Sequence, residues 1–406
     1  MKEGSGLLNM MPLVREMRRR AQNIYRAARG HRLAAKVQKP SPPQDITVLL
    51  HHSRSARLRQ VPPGAKVICS AGCAGTWYFD WVENCYGRLD RHIGVEYYTP
   101  KPEQLPNNVE WVENTVSDMS AVGDNSCDLI FSGQNLEHLW PEEVIGFLLE
   151  SWRVLRAGGT LVIDSPNREL TEPLNWSHPE HTVELTFDEA RQLVTLAGFD
   201  ITGSYGVWLC RDPKSGSILP FKADDETSGW SVPERLILAS KYPSDSFIWW
   251  LEATKSARNP DRKRVESLMS DIFDRAWPER IQRLKSLVGR KEHRADGDWI
   301  VCEEGESGVM LFGPNMPLKM GNYRVSFCIK ATTFEDSDQP IARCEVIAGD
   351  EPLVSLDIQS CDPAEGPISL EFRLSKLTFG MKFRCLSLGV GRVECWRGIV
   401  LDKIGD

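Results

Sequence analysis

Between positions 65 and 164 short apolar runs alternate with helix-like segments, and this rhythm constrains the fold more than any other feature of the chain. The apolar runs fall at 66–71, 93–96, 127–132 and 159–164, and the helix-like segments at 77–84 and 142–155. A strand followed by a helix and another strand needs a crossover connection, and successive crossovers build a parallel sheet with helices on both faces. The pattern predicts a doubly wound α/β domain.

After position 199 the rhythm stops. Residues 209–231 are rich in Gly, Pro, Ser and Asp, as in a loop or lid. Apolar residues at helical spacing return at 232–240, 245–256 and 262–287, with Phe247, Trp249, Trp250 and Trp277 as large anchors. From 298 to 404 the signal becomes short alternating strands divided by turns, which predicts a β-sandwich of jelly-roll-like form. A chain of 406 residues is long enough for several domains. The division read from these shifts is a basic N-terminal helix and proline-rich linker at 1–43, the α/β domain at 44–210, a loop and helical region at 211–296, and the β-sandwich at 297–406.

The net charge of −7 conceals an asymmetry, because the first 40 residues hold ten Lys or Arg against only Glu3 and Glu16. The remainder is therefore more acidic than the whole, which argues against a general nucleic-acid binder. Leu13, Met17, Ile24 and Tyr25 stand near helical spacing beside Arg18, Arg19 and Arg20, as in a basic amphipathic helix that makes peripheral contact with an anionic membrane or partner, or in a solvated helix packed on its own protein. The arginines follow a short apolar stretch instead of preceding one, the wrong order for a secretory signal, so a cytoplasmic location is expected. Eleven cysteines without a Cys-x-x-Cys pair suggest reduced thiols, with neither a disulfide framework nor a metal site.

The chemistry is expected at the glycine turn that follows the first apolar run, Ser70-Ala71-Gly72-Cys73-Ala74-Gly75-Thr76. Glycine lets a backbone approach a ligand closely, and the helix that follows offers unpaired N–H groups to an anionic end. Glu96, 24 positions beyond Gly72 at the end of the second run, can accept from both hydroxyls of a ribose. Gly72, Cys73, Gly75 and Glu96 together fit a nucleoside ligand.

Further segments follow in register: Ser126-Cys127-Asp128-Leu129-Ile130, Asn135-Leu136-Glu137-His138-Leu139, and Arg153-Val154-Leu155 leading through Gly158-Gly159 to Pro166-Asn167. With these, roughly a third of the chain resembles the class I S-adenosylmethionine-dependent methyltransferases. Glu180-His181, Glu184-Leu185-Thr186 and Ala197-Gly198-Phe199 look like a segment of that family's sugar- and lipid-modifying branch, and parts of 243–253 and 312–325 look like segments of methyltransferases of bacterial surface-polysaccharide biosynthesis. The resemblance implies a Rossmann-like fold and S-adenosyl-L-methionine as cofactor. Ser70, Ala74 and Thr76 stand where the family pattern carries an acidic residue and two glycines. Ser70 would bond the cofactor's amine, Asp118 with Met119 would face its adenine, and Gln134 would orient its methionine end or the acceptor.

Methyl transfer to a hydroxyl needs a base, and a histidine within hydrogen-bond reach is the natural one. His138, His178 and His181 are the candidates. Trp77, Tyr78, Trp81, Tyr97 and Tyr98 surround this region, and Trp299, Phe312 and Trp396 are candidate sugar platforms in the β-sandwich. The leading expectation is O-methylation of a sugar in a polysaccharide or glycolipid precursor, with a glycan or glycolipid acceptor as partner, near the inner membrane. Two others stay open at this point: a small-molecule methyltransferase of quinone or antibiotic type, and a catalytically silent carbohydrate-binding scaffold.

Overall fold

The computed structural model describes residues 45–222, 229–332, 339–359 and 366–405. The basic segment and linker at 1–43, with the membrane contact expected of them, lie outside the described residues. No helix among the described residues is long and apolar enough to cross a membrane.

Helix α1 (Ile46–Leu58) precedes strand β1 (Val67–Ala71), α2 (Thr76–Tyr86), β2 (Arg91–Val95), β3 (Val109–Val112), β4 (Cys127–Gly133), α3 (Pro141–Val154) and β5 (Leu155–Pro166). A single turn α4 (Arg168–Thr171), α5 (Phe187–Leu196), β6 (Phe199–Leu209), α6 (Val232–Ala239), β7 (Ser246–Lys255) and α7 (Arg262–Ile281) follow. One seven-stranded sheet runs β3-β2-β1-β4-β5-β7-β6. Its first five strands pair in parallel, while β7 is antiparallel to both β5 and β6.

Successive side chains of a strand point to opposite faces, and the sheet is covered on both. Ile68, Leu129, Phe131, Val162 and Trp250 meet Leu58, Phe79 and Trp81 on one side. On the other, Cys69, Leu161, Ile163, Trp249 and Leu251 meet Phe147, Leu193 and the first part of α7. The doubly wound, Rossmann-like reading therefore stands, with one antiparallel strand making the sheet mixed.

Two readings of the sequence need correction. The stretch 245–256, read as helical, is β7. Strands buried on both faces carry continuous apolar runs, and such runs cannot be told from a buried helix by periodicity alone. All of β7 except one residue is buried. The α/β sheet therefore extends past position 210, and 211–296 is not a unit by itself: β7 enters the sheet, α6 lies against β6, and α7 packs on α3 and α5.

The C-terminal part is all antiparallel. Its strands are β8 (Arg290–Arg294), β9 (Gly297–Cys302), β10 (Ser307–Leu318), β11 (Gly321–Phe327), β12 (Ile329–Thr332), β13 (Ala342–Ala348), β14 (Glu351–Ile358), β15 (Ile368–Leu374), β16 (Thr378–Leu388), β17 (Arg392–Trp396) and β18 (Val400–Gly405). They form three sheets, β10-β16-β13-β14, β15-β11-β18 and β12-β17-β9-β8, around one apolar core. These pairings give a β-rich unit but do not reproduce the two sheets of a jelly roll. β8 begins this unit before position 297.

Candidate active site

In an open parallel sheet a ligand crevice forms beyond the carboxyl ends of the strands, where the strand order reverses. Here that point lies between β1 and β4. The turn after β1 and the turn after β4 meet there. Gly72 has φ +78, and a Cβ built on it would lie 2.5 Å from Asn135 Oδ1, so only glycine lets the two turns touch. Gly75 has φ +94 and is the N-cap of α2, so no side chain caps the first amides of that helix.

Glu96 follows β2 and is 7% exposed. Its Oε1 accepts from the amides of Tyr98 at 2.7 Å and Thr99 at 2.9 Å, which fixes the carboxylate beyond the strand end. Burial pushes its pKa up, and the surrounding amides oppose that shift. Tyr97 and Tyr98 stand beside it, both more than half exposed, with ring centroids 5.2 Å apart. A glycine cradle, a held carboxylate and exposed rings suit a nucleoside with an anionic tail.

Other predicted cofactor residues are placed differently. Ser70 is fully buried, with its Oγ 2.8 Å from His92 Nε2, and His92 Nδ1 is 3.3 Å from Glu83. Its hydroxyl is thus spent inside the sheet instead of facing a ligand amine. Cys73 is buried, its thiol directed to the Val95 carbonyl. Met119 is a core residue, and its amide donates to Glu150. Asp118 is exposed and accepts from the Ser120 amide of its own turn. Gln134 adopts φ +57 and turns its side-chain amide to Asp164 Oδ1 at 2.7 Å. Asp164, fully buried at the end of β5, also binds Arg54 of α1 at 2.9 Å, a pair distant in sequence that spacing gives no sign of.

The three candidate histidines do come together. The ring of His181 stands 4.7 Å from that of His138 and 4.5 Å from that of His178. His138 lies in a single 3-10 turn after β4, and the other two in the loop before α5. His181 is buried, and its Nδ1 is 3.0 Å from Glu184 Oε1. Burial raises the Glu184 carboxyl, but His181, Arg283 and Arg280 outweigh it and hold the pKa at about 2. Burial lowers all three histidines, His178 to about 3, so the imidazoles are neutral near pH 7. Glu137, quoted above only as part of a motif, is buried beside them, and desolvation pushes its pKa up to about 8.

The C-terminal unit backs this cluster. Arg280 of α7, 1% exposed, donates to the carbonyls of His178, Asn315 and Pro314. The Gly380 amide donates to the Pro179 carbonyl at 3.2 Å. A cavity of about 360 Å³ opens at this junction, lined by Ser177, Arg283, Lys285, Phe312, Asn315 and Lys382 among others. Phe312 is therefore at a surface that a ligand can reach. Trp299 is not: it is buried under Arg294, with its indole N–H on Asp296.

Residues 70–163 match the model of a family described as a methyltransferase domain. A probable S-adenosylmethionine-dependent methyltransferase of Mycolicibacterium smegmatis is 37% identical over 145 residues, 35% of this chain and 54% of the relative. One from Mycobacterium tuberculosis is 31% identical over 139 residues, 33% of this chain and 49% of the relative. The chain thus spans about half the length of the curated relatives it matches. Among solved structures, a putative S-adenosylmethionine-dependent methyltransferase from Listeria monocytogenes aligns over 51% of this chain and 99% of its own, with TM-score 0.34 and 13% identity. One from Archaeoglobus fulgidus aligns over 50% of this chain and 94% of its own, with TM-score 0.35 and 19% identity. The chain therefore carries a methyltransferase domain, and the curated relatives that share this region are named as probable S-adenosylmethionine-dependent methyltransferases.

Proposed function

We propose that this protein is an S-adenosylmethionine-dependent O-methyltransferase whose acceptor is a sugar hydroxyl of a polysaccharide or glycolipid precursor. The observation that carries this reading is the meeting of three histidines in the loops beyond the strand ends, close in sequence to Ser177, which lines a cavity between the α/β part and the β-rich unit. The wall of that cavity is mostly apolar, and its Ser177, Arg283, Lys285, Asn315 and Lys382 side chains offer polar contacts to acceptor hydroxyls, the cationic ones suiting a phosphate on a precursor.

When bound, S-adenosylmethionine supplies a methyl group on a sulfonium, ready for in-line displacement. The residues of the chain do the rest. Gly72 and Gly75 would offer their backbone to the methionine end, Glu96 would accept from the ribose, and Tyr97 and Tyr98 would lie on the side of the base. The histidine cluster holds the acceptor hydroxyl and manages its proton as the oxygen attacks. The β-rich unit closes the acceptor side through Arg280 and β10.

The test uses the full chain with methyl-labelled S-adenosylmethionine, offered oligosaccharides and sugar phosphates in one series and phenolic small molecules in another. Label on a glycan supports the reading, and label on the phenols alone refutes the acceptor. Absence of calorimetric heat with both S-adenosylmethionine and S-adenosylhomocysteine refutes the enzyme.

A further inference from the structure

We infer that Glu137, His138 and His181 form a binding site for one divalent transition-metal cation of the zinc class, on the acceptor side of the crevice. One ligand atom from each residue lies within 4.8 Å of the others. Zinc bonds of about 2.0–2.2 Å put tetrahedral ligand atoms roughly 3.5 Å apart, so the side chains need draw in by only about an ångström.

Two further observations point to a ligand there. Glu137 is 1% exposed, its Oε2 accepts from Ser165 at 2.9 Å, and its Oε1 is buried with no hydrogen-bond partner. An unpartnered oxygen on a buried acid is costly whether or not it holds a proton, and a cation in the place of that proton would satisfy it. Independently, the 3.0 Å contact with Glu184 puts the His181 proton on Nδ1 and leaves the Nε2 lone pair free. Glu184 is itself held by Arg283 and by the Thr171 hydroxyl. A carboxylate that orients a histidine in this way is the usual outer shell of a metal-ligating imidazole.

His178 stays outside the ligand set, because its Nδ1 accepts from the Glu180 amide. The side chain of His138 is 32% exposed, which leaves one side of the site open to an exchangeable ligand. Two imidazoles and one carboxylate suit zinc, cobalt, manganese or ferrous ions better than magnesium or calcium. An open position would let the cation bind an acceptor hydroxyl and lower its pKa so that its proton leaves to solvent, with His138 and His181 then acting as ligands and not as the base. That last role rests on the methyl-transfer reading, whereas cation binding does not.

The experiment titrates chelator-treated full-length protein with Zn2+ by calorimetry and with Co2+ by visible absorption, and measures S-adenosylmethionine binding in parallel. Expected is uptake of about one equivalent of metal, with a Co2+ spectrum free of the sulfur-to-metal charge-transfer band that any of the eleven cysteines would produce. Glu137→Gln, which keeps an acceptor for Ser165, should abolish that uptake. Glu184→Gln, which touches no metal, should weaken it about 10- to 100-fold. No uptake by the wild type, a sulfur band, or equal uptake by Glu137→Gln would overturn the site. Retained S-adenosylmethionine binding in the same samples separates that result from a failure of the methyltransferase reading, and from a misfolded variant.

Discussion

Replacing Glu96 by Gln tests the cofactor crevice at its most defined point. The carboxylate is 7% exposed, and its Oε1 is already committed to the Tyr98 and Thr99 amides. A glutamine can keep an oxygen facing those amides, so the loop should hold its shape, but it brings no charge to a ribose hydroxyl. Hydrogen bonds to charged groups contribute about 1.5–3 kcal/mol, so the Kd for S-adenosylmethionine should rise about 10- to 150-fold. Calorimetry with S-adenosylmethionine and S-adenosylhomocysteine reads this directly, and both ligands should lose equally because they share the ribose. The pH dependence adds an independent signature. Burial raises the Glu96 pKa, and binding uses the ionised form, so wild-type affinity should fall with decreasing pH earlier than an ordinary glutamate would dictate. The Glu96→Gln protein should lack that decline, and the two curves should converge in acid. An unchanged Kd at neutral pH, or parallel curves, would refute the ribose assignment.

The turn after β1 makes a second test: Gly72→Ala adds a Cβ 2.5 Å from Asn135 at φ +78, so about 1–3 kcal/mol of stability should go, with cofactor binding. Urea melts with and without S-adenosylhomocysteine measure both, and wild-type behaviour would mean that the two turns do not touch. His92 is fully buried with its pKa lowered to about 4, so the unfolded chain takes up a proton below about pH 6.5 that the folded chain refuses until pH 4. Stability should therefore drop by about 3 kcal/mol as pH falls through that window, and His92→Gln should flatten this component of the profile. Arg280→Met strips three carbonyls, one buried and two part-buried, of their donor and should cost about 3 kcal/mol. It should also slow methyl transfer while leaving S-adenosylmethionine affinity intact, and equal losses in both would place Arg280 in a different role.

Much of this was legible in the sequence, and for identifiable reasons. The strands and helices from 66 to 164 announce themselves because each strand is short and each helix begins after a turn. Gly72, Gly75 and Glu96 sit where a strand-end crevice requires them. The three histidines could be nominated because loops after parallel strands converge. What stayed hidden depended on tertiary pairing. Ser70 alternates into the sheet, and only the structure shows His92 waiting for it. β7 hid inside an apolar run with no period, and Glu137 and Glu184 acquire meaning only through their partners. Arg54 and Asp164, 110 positions apart, had no local signal at all.

Helix α7 belongs to two cores at once. Val265, Met269 and Ile272 pack under the α/β sheet, while Ile281 and the adjoining Leu284 pack in the β-rich unit. A shared helix leaves no soft joint at which the halves could be cut apart or swing. Fragments ending near position 260 or starting near 297 would each expose an apolar stripe that the helix normally covers, so neither is a fair surrogate for the intact chain. Heating should accordingly melt the two halves in a single step, and the mouth of the cavity at their junction should change by movement of side chains and loops instead of by rotation of one half against the other.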